Sequence, residues 1–211
     1  MIERMLASGV IVVIRRQDPD KVEQIAAALI EGGVSALEIT VDSPRAFELI
    51  ESIKYTFHDR VVVGAGTVIT KQEAEAALDA GAEFVFSPHF DEEVVKTTRS
   101  RGKISIPGVL TPTEIVRAHQ CGADMVKVFP ASVVGAHYVK ELQAPLGHIK
   151  MIPTGGINSD NVAEYIRNGA AAVGIGSSLM KREVIQSGQF ERLTDYARNL
   201  VTKIRHAREE K

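Results

Sequence analysis

Eight short apolar runs recur along the chain at near-even spacing, beginning at Val10, Ala36, Val61, Phe84, Ile104, Met125, Ile149 and Ala172. The intervals of 20 to 26 residues each hold one strand, one helix and two loops, so the pattern predicts eight consecutive βα units. The runs are almost continuously hydrophobic, VIVVI and VVVGAG for example, as expected of strands covered by helices on both faces of a parallel sheet. Right-handed βα units in that number close into a (β/α)8 barrel. An open doubly wound sheet is the alternative, but that fold usually carries a glycine-rich turn after its first strand. Here the first strand ends in Arg15-Arg16, and no GxGxxG or Walker A sequence occurs. The expected fold is an α/β chain forming one (β/α)8 TIM barrel over residues 1–211. A short segment, 1–9, precedes it, and a closing helix covers about 187–206.

The intervening stretches carry helix signatures. Val22, Ile25, Ala26, Leu29 and Ile30 make one apolar face. Asp18-Pro19 and Ser43-Pro44 each set a cap residue before a proline at the first helical position. Thr70 with Glu73, and Thr111 with Glu114, read as capping boxes. Gly33, Gly81, Gly122 and Gly169 read as left-handed helix stops.

Charge and composition narrow the function. Lys and Arg total 25 against 27 Asp and Glu, a net charge of -2, which gives no general attraction to nucleic acid or anionic membrane. No apolar run reaches the roughly 18 residues of a membrane span. Cys121 is the only cysteine, which excludes an internal disulfide and fits a reducing cytoplasm. The start, MIERMLASGVIVVIRR, reads as mature protein and not as a signal peptide. None of the six histidines falls in an HxH, HExxH or Cys/His cluster, so neither a metal nor another cofactor is expected.

Two polar residues interrupt apolar strands. Strand side chains alternate, so if Val126 and Val128 face the helices, Lys127 faces the barrel interior, and Glu38 does so between Leu37 and Ile39. Strands two and six are opposite in an eight-stranded barrel, and both are even-numbered, so these residues can share a layer. Burial drives a lysine toward the neutral amine, which attacks a ketone to form a Schiff base. A carboxylate beside it suits general acid–base work. The same two residues as a buried ion bridge remain the alternative. After strand seven comes Pro153-Thr154-Gly155-Gly156-Ile157-Asn158, with a helix expected to open at about Asn158; after strand eight comes Gly174-Ile175-Gly176-Ser177-Ser178. Phosphate often binds at these two positions of the fold, on backbone N–H groups and a helix N-terminus. Arg15 is a candidate anion clamp, or a solvated strand end. Thr67 is a candidate carboxylate donor, or the start of a turn. His89, in Ser87-Pro88-His89, is either near a ligand or a solvated loop residue.

The runs VIVVIRR, GGVSALEIT, VGAGTV, FVFSPH, IPGVLTPTE, VKVFPA, PTGGIN and VGIGSSL, from Val10 to Leu179, together make a specific set. In them the chain resembles the 2-keto-3-deoxy-6-phosphogluconate (KDPG) aldolases, which overlap in activity with 4-hydroxy-2-oxoglutarate (KHG) aldolases. The resemblance implies a cofactor-free class I aldolase on a trimeric (β/α)8 barrel. It implies Lys127 as the Schiff-base lysine and Glu38 as the general acid–base, with Thr67 helping to bind the pyruvate carboxylate. Pro88, Phe129, Thr154, Gly155, Gly156 and Ser177, beside Gly176, would line the substrate and phosphate region. One position departs: well-known members carry arginine four residues after the glutamate, where this chain has Asp42. Arg15 is the candidate for the vacated carboxylate duty. The alternatives are a phosphosugar epimerase or synthase on the same barrel, or a non-catalytic phosphate-binding barrel.

Overall fold

The computed structural model describes residues 1–210. After a short helix, α1 (Ile2–Leu6), strands and helices alternate: β1 (Val10–Ile14), α2 (Pro19–Glu31), β2 (Ala36–Thr40), α3 (Ala46–Phe57), β3 (Val62–Gly66), α4 (Lys71–Asp79), β4 (Phe84–Phe86) and α5 (Glu92–Ser100). Then follow β5 (Ile104–Ile106), β6 (Gly108–Val109), α6 (Pro112–Gln120), β7 (Val126–Val128), α7 (Ala131–Leu146), β8 (Met151–Pro153), α8 (Val162–Arg167), β9 (Val173–Ile175), α9 (Arg182–Gln186) and α10 (Phe190–Glu209).

All strand pairs are parallel, in two runs ordered β5-β4-β3-β2-β1-β9 and β6-β7-β8. Pro107, which has no N–H to give a ladder, splits the fifth barrel strand into β5 and β6. The runs join there, where the Lys127 N–H donates to the Pro107 carbonyl at 2.8 Å. They join again where Thr154 bridges Gly174 and the Ala171 N–H donates to the Met151 carbonyl at 3.0 Å. The barrel therefore closes, with β7, β8 and β9 as its sixth, seventh and eighth strands.

Alternation along the strands separates two cores. Ile11, Ala36, Val62, Phe84, Phe86, Ile104, Ile106, Met125, Ile152 and Ala172 point inward and pack together. Val10, Val12, Ile14, Leu37, Ile39, Val63 and Ala65 point outward against the helices. Met5 of α1 is fully buried in the inner core, so this helix plugs the N-terminal end of the barrel and leaves the C-terminal end open. The long α10 packs on α2 and α8, and Arg208 near its end donates to the carbonyls of Leu6, Ala7 and Ala171. No helix among the described residues is long and apolar enough to cross a membrane.

Most local signals are realised. The Asp18 side chain accepts from the Asp20 N–H with Pro19 opening α2, and both capping boxes form. The four expected glycine stops have φ between 92° and 105°. Three helix starts differ from expectation; the closing helix α10 opens at Phe190, after Gly188 at φ 70, and not near 187. Helix α3 opens at Ala46 after Arg45 at φ 56, not at Pro44, because the Ser43 hydroxyl is engaged elsewhere: it accepts from the Arg16 N–H at 2.8 Å and pairs with Thr40 at 2.9 Å. Helix α8 opens at Val162, not near Asn158. Asn158 and Asn161 instead tie up each other's side chains and N–H groups in a turn. No helix N-terminus therefore follows the Gly155-Gly156 turn directly.

Candidate active site

Lys127 points into the barrel from β7, while its neighbours Val126 and Val128 join the outer core. It is 5% exposed, and its ammonium lies 4.3 Å from the Phe86 ring centroid and 4.8 Å from that of Phe129. Burial pushes its pKa below the ordinary lysine value; the charge of Glu38 opposes this and that of Arg15 adds to it.

Glu38 points inward from β2 and is 1% exposed. Its carboxyl lies over Gly66, where any side chain would occupy the same space. Oε2 is buried without a hydrogen-bond partner among the described residues. Burial pushes the carboxyl pKa up to about 7, with Lys127 and Arg15 pulling it back and Asp42 adding to the rise. Glu38 and Lys127 feel each other's charge, yet no carboxylate forms an ion pair with Lys127 among the described residues. The buried ion bridge allowed by the sequence is thus not what joins them. Burial instead moves a carboxyl and an amine toward each other in proton affinity, a combination typical of proton-transfer sites.

A cleft of about 1350 Å³ opens over these two groups at the C-terminal end of the barrel. Arg15, Thr67, Pro88, Phe129, Thr154, Gly155, Gly156, Gly176 and Ser177 all line it. His89 is exposed and does not. Thr67 adopts φ 59, a conformation that costs a non-glycine residue energy and recurs at functional sites. The buried Thr154 stands over Gly174, which leaves no room for a Cβ. The Ser178 hydroxyl donates to the Ile157 carbonyl at 2.7 Å and ties the two glycine loops together. The N–H groups of Gly155, Gly156, Gly176 and Ser177 have no acceptor among the described residues.

The rim holds what sequence reasoning did not find. Asp42 Oδ2 accepts from Arg15 through Nε at 3.2 Å and Nη2 at 2.9 Å, and Arg16 Nη2 lies 2.9 Å from the same oxygen. Phe86 was also missed, although its place two residues after inward Phe84 signals it. Among the described residues no three His, Cys, Asp or Glu side chains gather as a metal site would require.

Residues 1–196 match the family model described as KDPG and KHG aldolase. The chain belongs to the KDPG and KHG aldolase family. It is therefore an aldolase, a carbon–carbon lyase of class I. It is 37% identical over 186 residues, 88% of each chain, to the 2-dehydro-3-deoxy-phosphogluconate aldolase of Treponema pallidum. It is 36% identical over 172 residues, 81% of each chain, to the probable 2-dehydro-3-deoxy-6-phosphogalactonate aldolase of Rhizobium meliloti. The KDPG aldolase of Legionella pneumophila, solved with pyruvate captured as a covalent carbinolamine, superposes with a TM-score of 0.87 at 33% identity over 93% of this chain and 96% of that one. Among KDPG and KHG aldolases, then, relatives acting on the gluconate and on the galactonate skeleton are about equally similar to this chain.

Proposed function

We propose that this aldolase cleaves KDPG to pyruvate and glyceraldehyde 3-phosphate through an imine on Lys127. The observation that carries the reading is a lysine with no ion-pair partner among the described residues, buried between two aromatic rings, facing a buried carboxyl that titrates near neutrality. The neutral amine attacks the C2 ketone, and the carbinolamine hydroxyl takes a proton, from water or Glu38, and leaves as water, giving an iminium. Glu38, directly or through one water, takes the C4 hydroxyl proton. The C3–C4 bond breaks, its electron pair forms the enamine, and the aldehyde leaves. The proton returns to C3, and hydrolysis releases pyruvate and the free amine. Arg15 and Thr67 take the C1 carboxylate; Pro88 and Phe129 flank the carbon chain; the free N–H groups around Gly155, Gly156, Gly176 and Ser177, beside Thr154, take the phosphate. KHG, cleaved to pyruvate and glyoxylate, is a poorer substrate in this reading because its second carboxylate lies too near the reacting carbons to reach those loops. A cytoplasmic homotrimer completes it, supported by the family resemblance and by the free Cys121.

Incubation with pyruvate and borohydride is expected to add one reduced pyruvyl group, mapped to Lys127 by peptide mass. An unmodified Lys127, or label scattered over surface lysines, would contradict the mechanism. The similarity to the Rhizobium galactonate relative supports a second reading, in which the C4 epimer is the preferred substrate. Measured kcat/KM for both phosphorylated epimers and KHG decides among them. The phosphorylated acids are expected to exceed KHG by at least about tenfold, and Ser177→Ala to narrow that gap by harming mainly the phosphorylated substrates. Equal losses on all three would assign the loops to the fold alone.

A further inference from the structure

We infer that Asp42 is a positioning residue that holds Arg15 over the cleft with one edge of its guanidinium free for the substrate carboxylate. The inference rests on the reading above that Arg15 takes that carboxylate. Arg15 follows inward Ile11 and Val13 along β1 and lines the cleft. Its charge bears on both Glu38 and Lys127. Its side chain is about half exposed, and an unrestrained arginine there would sample many rotamers.

Asp42 removes that freedom. Nε and Nη2 of Arg15 both donate to Asp42 Oδ2, while Nη1 has no partner among the described residues. Asp42, which does not line the cleft, occupies the Nε–Nη2 edge, so the Nη1–Nη2 edge is left for a planar anion, the bidentate geometry for which arginine is suited. Asp42 is itself braced. Burial alone would raise its pKa, but Arg15 and the charge of Arg16, both on Oδ2, hold it below the usual carboxylate value, while Oδ1 is buried with no hydrogen-bond partner among the described residues. On the same segment Thr40 pairs with Ser43, and Ser43 accepts from the N–H of Arg16, which sits at φ 48. The strained Arg15-Arg16 turn and the segment from Thr40 to Ser43 thus form one network with its cationic end toward the ligand. An isolated surface ion pair does little; this one has its anionic half mostly shielded and shared by two arginines of one strained turn.

The test is a double-mutant cycle on pyruvate affinity, measured by ligand-observed NMR at equilibrium, with melting temperatures recorded alongside. Asp42→Asn is expected to weaken pyruvate binding about five- to tenfold and to raise KM for the keto acid with kcat changed less than about threefold. In an Arg15→Ala background, itself about tenfold or more weaker, adding Asp42→Asn is expected to cost less than twofold. Arg15→Lys, which keeps the charge without the fork, is expected to behave like Arg15→Ala. A full-sized loss from Asp42→Asn in the Arg15→Ala background, or unchanged affinity in Asp42→Asn alone, would overturn the proposal. So would wild-type protein that fails to bind pyruvate. Pyruvate that binds but leaves no borohydride adduct would instead contradict the Schiff-base mechanism and leave the role of Asp42 standing.

Discussion

Lys127→Met is expected to lower kcat/KM by at least about 10⁴-fold and to abolish the pyruvate adduct, while the protein melts no lower than wild type at pH 7. The methionine fills nearly the same volume between Phe86 and Phe129 without a nucleophile. The two halves of the result have one cause. The folded-state pKa of Lys127 is lowered from 10.5, chiefly by burial. The unfolded chain therefore holds that proton more tightly than the folded one, and the charged lysine costs stability below its folded pKa. The cost fades as pH rises toward the unfolded value. The methionine variant should gain most below the folded pKa of the lysine and lose that advantage above about 10.5. Single-turnover assays and thermal melts across pH would check both halves. A variant with residual imine chemistry, or one markedly less stable at pH 7, would contradict this account of the lysine.

Glu38→Gln is expected to lower kcat by about 10²–10⁴-fold while borohydride still traps pyruvate on Lys127, because attack on a ketone does not need the carboxylate and proton transfer at C4 does. In wild type, kcat/KM should rise with pH through a limb near 7, where Glu38 ionises, and that limb should vanish in the variant. Stability provides an independent check. The folded pKa of about 7 lies above the 4.5 of an unburied glutamate, so the folded chain binds this proton more tightly. The stability it confers is complete below about 4.5 and is lost as pH rises to about 7, above which the buried charge is fully unfavourable. Glu38→Gln should therefore raise stability at pH 8 by up to about 3 kcal/mol and not at pH 4. Near-normal turnover would leave Glu38 only a structural partner. Equal stability at pH 8 would show that the carboxyl is better solvated than its burial implies.

Lys127 and Glu38 were legible because strand side chains have a period of two. Where Val126 and Val128 must face helices, the residue between them has only the interior left, and the same holds between Leu37 and Ile39. The glycine loops were legible by position in the repeat. The starts of α3 and α8 were not. A serine or asparagine before a helix is a cap only if its oxygen is free, and Ser43 is bound to Arg16 and Thr40 while Asn158 is locked with Asn161. Neither competing partner can be read from local preference. The cage around the lysine was half hidden for a related reason: Phe86 and Phe129 come from different strands, and their convergence depends on how the barrel is sheared.

Taken alone, the sequence determined the number of βα units, the inward set of each strand and hence the lysine and the carboxyl inside the barrel, because hydrophobic periodicity and short-range geometry follow from neighbours along the chain. Only the tertiary structure decided that Glu38 and Lys127 remain unbridged, that burial brings their proton affinities together, and that Asp42 holds Arg15 from 27 residues away. Desolvation and ion pairing are set by distances between groups that the chain brings together only on closing the barrel, so no local pattern encodes them.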